Sequence, residues 1–162
     1  MWLISTPKRK LKVKSHLPAM LRKAMQAGKL KVAKRLEWDD AGEIKIDIEK
    51  ILKNLSFPNI DASRIFCFRT SGSKSRSYAR IWAMPKIFQR ALNIKPAYVI
   101  EVLSKYYDKL DDDSKKKVLI HELLHIPKNF SGTLLPHRSR HRHLQTEVNK
   151  LFAQYKKFDD RK

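Results

Sequence analysis

Val118-Leu119-Ile120-His121-Glu122-Leu123-Leu124-His125-Ile126-Pro127-Lys128 is the stretch on which the reading of this chain turns. On a helix, residues four apart project from one face about a turn apart, so the imidazoles of His121 and His125 can reach a single ion at about 2.0–2.1 Å. Glu122 lies about 100° further round. It stands beside such an ion without binding it, where its carboxylate can take a proton from water that the ion has acidified. The other positions are apolar almost all round, and two histidines and a glutamate are costly in such a helix unless something satisfies them. Pro127 disfavours helix at Ile126, so the helix is expected to end just after His125. The chain is then free to turn and deliver a third ligand.

Five of the six histidines lie between His121 and His143. The candidates for the third ligand are His137, His141, His143 and Glu147. If a last helix begins near His137, then His141 shares an inward stripe with Leu144, Val148 and Leu151. His143 then points away among Arg138, Arg140 and Arg142, and Glu147 sits on the flank. His137 follows Pro136 at a loop-to-helix junction that can present it to the metal. His141 is one turn on, as a ligand or as a core-edge histidine supporting the site.

Working outward, the spacing predicts helices over His16–Ala27, Asp47–Leu55, Pro85–Asn93, from about Asp111 to His125, and from about Ser139 to Phe158. Three strands are expected, over Arg64–Arg69, Ser77–Met84 and Ala97–Leu103, rich in β-branched and aromatic residues. Thr70–Arg76 reads as a basic loop, open to a substrate or phosphate or simply exposed. Arg80 and Glu101 interrupt apolar strands and are expected to pair. Trp82, Phe88 and Tyr98 read as core aromatics, and Cys67 as packing. The fold class is α+β: a small sheet of about three strands packed on the His-Glu-x-x-His helix and flanking helices.

The chain has 162 residues, 42% of them hydrophobic, enough for one domain and an arm. Its formal net charge is +20, and the first acid is Glu37. Residues 1–36 therefore form a basic arm, able to neutralise the phosphates of DNA or RNA or to serve as a solvated tail. One cysteine allows no internal disulfide. The apolar stretches are too short to span a bilayer, and at the N-terminus the basic residues follow the apolar ones, against a secretory signal. A cytoplasmic protein without membrane contact is expected.

The run from Val118 to Lys128, followed by Phe130-Ser131-Gly132-Thr133-Leu134-Leu135-Pro136-His137, resembles the archaeal and phage metallopeptidase family. Arg69–Pro85 and Tyr98–Leu103 with Tyr107–Leu110 resemble it too. The resemblance spans about residues 37–155, leaves the arm outside, and sets the peptidase domain at 37–158. It implies Zn2+ on His121 and His125, Glu122 as general base, and His137 as third ligand through the Leu-x-Pro-His segment. It also implies a minimal zincin fold, distantly similar to SprT-like proteases that act near DNA. Where the family has Ala-Pro-Asp, this chain has Ala41-Gly42-Glu43. A zinc endopeptidase acting on protein or peptide is the first expectation. A nucleic-acid-associated binding protein with structural zinc or vestigial peptidase activity is the second.

Overall fold

The computed structural model describes residues 35–136 and 141–159, together with Ala19, Met20 and Lys23. The chain divides into two compact units, residues 1–34 and residues 35–162, and the second holds the sheet, the motif helix and the helices packed with them. The helix expected over His16–Ala27 lies largely outside the described residues.

Four strands form one mixed sheet. β1 (Glu37–Asp40) runs antiparallel to β2 (Ile65–Ser71), β2 runs parallel to β4 (Tyr98–Leu103), and β3 (Ala79–Ala83) is antiparallel to β4, giving the order β1-β2-β4-β3. The α+β class is that expected, with one strand more than the three anticipated. β1 escaped the pattern because Glu-Trp-Asp-Asp has no apolar alternation and all four residues are exposed. It is a strand only because it pairs with the edge of β2, with Trp38 opposite Thr70. Period-two alternation sends Ile65 and Cys67, then Tyr98, Ile100 and Val102, into the core. Burial pushes the Cys67 thiol up to about 11, so it packs as an apolar side chain.

Helices cover the core face. α1 (Gly42–Leu55) starts five residues earlier than expected, with Ala41 N–H bonded to the Cys67 carbonyl at 3.0 Å. It buries Ile44, Ile48, Ile51, Leu52 and Leu55 along one stripe. Glu43 in its first turn meets the Arg69 guanidinium at 2.7 Å, so the departure at Ala41-Gly42-Glu43 serves as a tie between helix and sheet. α2 (Lys86–Ala91) follows Pro85, and the short α3 (Ser104–Tyr107) follows β4 directly. α4 (Asp112–Leu123) carries the histidine motif. Asp111 caps it, accepting from Ser114 N–H at 2.7 Å, and that bond holds the Asp111 carboxyl below its usual range. α5 (His141–Asp159) lays Val148, Phe152 and Tyr155 into the core beside α4. Lys116 of α4 pairs with Asp47 of α1 at 2.7 Å, joining the motif helix to its neighbour.

Of the three aromatics expected in the core, only Tyr98 lies there. Trp82 is 52% exposed and Phe88 54% exposed. Trp82 alternates with Ile81 and so points away from the core, and α2 is a six-residue helix with no buried residue. Arg80 and Glu101 face each other across β3 and β4, 3.9 Å apart.

Candidate metal centre

α4 ends at Leu123, two residues before the second histidine. Past it the backbone tightens into bonds of three-residue span, His125 N–H to the Glu122 carbonyl and Ile126 N–H to the Leu123 carbonyl. The turn still brings the two imidazoles together, with His121 Nε2 and His125 Nε2 3.3 Å apart. Two nitrogens each about 2.0–2.1 Å from one tetrahedral ion stand about 3.3–3.4 Å apart, so the spacing suits a shared metal.

Backbone contacts set the chemistry of both groups. His125 Nδ1 lies 3.0 Å from the Leu135 carbonyl. A carbonyl only accepts, so the proton sits on Nδ1 and the Nε2 lone pair is left to face His121. Such outer contacts orient metal-binding histidines generally. Leu135 N–H returns a bond to the His125 carbonyl at 2.9 Å, clamping residues 133–136 to the motif. Glu122 is buried, and desolvation pushes its carboxyl up to about 7, with a backbone hydrogen bond from Ile81 N–H pulling the other way. A carboxyl poised near neutrality suits proton transfer.

The loop after the motif is built to hold that clamp. Phe130 and Gly132 both take positive φ, and the Tyr98 hydroxyl accepts from Gly132 N–H at 2.9 Å and donates to the Thr133 carbonyl at 3.1 Å. Gln89 Nε2 donates to the Met84 and Ser131 carbonyls from the other side. Tyr98→Phe removes both Tyr98 bonds and leaves a buried N–H without its acceptor. A loss of about 1–3 kcal/mol is expected from thermal or denaturant unfolding, and a variant as stable as wild type would show that the loop does not lean on this hydroxyl.

The histidines and Glu122 sit in a cleft of about 930 Å3. Its walls are Ile81 and Trp82 of β3, Val118 of α4, Val148 of α5, and Leu134 and Leu135 of the clamped segment. Among the described residues β3 is the last strand of the sheet, and Ala79–Trp82 line the cleft. Leu103 N–H bonds the Tyr78 carbonyl and Met84 N–H bonds the Ala97 carbonyl. Even-numbered residues of β3 therefore address β4, and the backbone groups of Ala79, Ile81 and Ala83 face outward. The Ile81 bond to Glu122 follows from that parity.

Comparison with known protein families adds to this geometry. The family described as "Putative phage metallopeptidase" matches residues 36–156. The chain belongs to this metallopeptidase family. The matched span holds the whole sheet, the motif helix and most of α5, and membership implies a metal ion. No curated protein and no solved structure matches the chain.

The structure brings together three of the seven candidate site residues: His121, Glu122 and His125. Among the described residues no third histidine, cysteine or carboxylate joins them to complete a metal cluster. His137 lies outside the described residues, as do the side chains of His141 and His143. Glu147 is exposed on α5 and lines no part of the cleft. Sequence reasoning missed the Leu135 carbonyl, the Ile81 N–H and the Tyr98 hydroxyl. Two of these are backbone groups, which carry no residue-type signal.

Proposed function

We propose that this protein is a zinc endopeptidase in which His121 and His125 hold the ion and Glu122 handles the proton. The 3.3 Å approach of the two Nε2 atoms, with the His125 tautomer set by Leu135, carries this reading. His137 is the proposed third ligand: it follows two residues after Leu135, which is fastened to His125 on both its N–H and its carbonyl. His141 is the alternative.

A peptide adds as a strand along the outward edge of β3, using backbone groups of Ala79 and Ala83 that β4 leaves to the cleft. Zinc held by His121 and His125 would supply an acidified water and polarise the scissile carbonyl. Glu122 takes the water's proton and delivers it to the leaving amine. The hydrogen bond from Ile81 N–H fixes the direction of this buried carboxyl. The protein is proposed to be cytoplasmic; among the described residues no helix is long and apolar enough to cross a membrane. The nucleic-acid reading rests on the net charge of +20 and on the acid-free segment before Glu37.

Metal analysis of the purified chain is expected to find one zinc per molecule, lost in His121→Ala and His125→Ala, with peptide hydrolysis lost alongside. Wild type without zinc would overturn the proposal. Full zinc without hydrolysis, with unfolding on chelation, would instead identify a structural site.

A further inference from the structure

The core cluster packs on one face of the sheet; on the other Thr70, Glu101 and Leu103 are buried and the remaining side chains are partly or largely exposed. Side chains alternate across each strand, and the register places Trp38 of β1, Phe66 and Phe68 of β2, Val99 and Glu101 of β4, and Arg80 and Trp82 of β3 on the opposite face. None of these belongs to the core cluster. Trp38 is 60% exposed, Phe66 52% and Trp82 52%, with Phe68 and Val99 partly buried among them. Contiguous apolar exposure of this kind marks an interaction site.

The rings are arrayed. Phe66, Val99 and Trp82 form one row across three neighbouring strands, so the two rings stand about 10 Å apart with a flat aliphatic residue between them. Phe68 lies in the next row with Glu101 and Arg80, and Trp38 in the third, opposite Thr70. Trp82 is held in place, its Nε1 donating to the Glu101 carboxylate at 2.8 Å. The same carboxylate accepts from Thr70 Oγ1 at 2.5 Å and faces the Arg80 guanidinium. The buried acid is thus answered within the sheet. Among the described residues Asp40 is the one other acid the register places on this face. Lys74 and Arg76 lie in the loop joining β2 to β3.

We infer that this outer face binds single-stranded nucleic acid, with bases stacked on Trp38, Phe66 and Trp82 and phosphates drawn by the chain's positive charge. Every base has a flat face, so an array of rings on a basic protein takes single strands with little regard to sequence. A second copy is the poorer occupant, because a net charge of +20 opposes bringing two such chains together. The inference does not rest on the peptidase reading, and it concerns a surface other than the arm before Glu37.

The test titrates the full chain against fluorescent oligodeoxythymidine of about 16 nucleotides. Trp38→Ala and Phe66→Ala replace exposed side chains, so unfolding midpoint and zinc content should match wild type. Each is expected to weaken binding about tenfold while keeping the slope of log affinity against log salt, since the phosphate contacts are untouched. Three results would overturn the inference: no binding by wild type, variants that bind as wild type does, or variants that lose only binding to phosphatidylserine vesicles.

Discussion

Replacing Glu122 with glutamine is expected to lower peptide hydrolysis by about 10²–10⁴-fold while bound zinc is retained. Glutamine keeps the volume and an oxygen for the Ile81 N–H but cannot accept a proton from water. The change also removes a carboxyl whose ionised form burial disfavours, so a fall in activity cannot be blamed on unfolding. Steady-state hydrolysis of a peptide, with metal content measured on the same samples, checks both halves. Full activity with zinc in place would remove Glu122 from the proton's path. Loss of zinc would mean that the carboxyl helps to hold the ion.

What the sequence disclosed of this site is what side chains can disclose. The spacing of His121 and His125 already implied a shared face, and Pro127 implied a stop. The helix nevertheless ends at Leu123, because the last turn tightens before the proline is reached. β2 was legible through its β-branched and aromatic residues and β4 through its almost continuous apolar run. β1 was not, since its place is set by the partner it pairs with and not by its own residues. Trp82 and Phe88 looked like core because large aromatics usually are. Only the parity of β3, fixed by its register with β4, shows which way Trp82 faces. The groups that tune the centre, the Leu135 carbonyl and the Ile81 N–H, become visible only when the loop and the sheet edge are folded against the motif.

That dependence makes Gly132 a second sensitive point, although it lies seven residues beyond His125. Gly132→Ala is expected to cost at least about 1–3 kcal/mol in stability and to weaken zinc binding about 10–100-fold. Gly132 sits at φ 76°, where a side chain is strained. A Cβ there would lie 2.6 Å from the Met84 carbonyl oxygen and also strike the Gln89 amide. Gln89 can swing aside, but Met84 presents backbone at the end of β3, so the loop itself must shift. Its N–H bond to Tyr98 then lengthens, and the displacement passes through Thr133 to Leu135, whose carbonyl holds His125 Nδ1. Adding Gln89→Ala should not rescue the variant, because the backbone conflict stays. Thr133→Ala, at an exposed neighbour, should leave zinc affinity unchanged. Denaturant unfolding and competitive zinc titration separate the two effects. A variant that is destabilised yet binds zinc as wild type does would show that His125 is oriented without the loop.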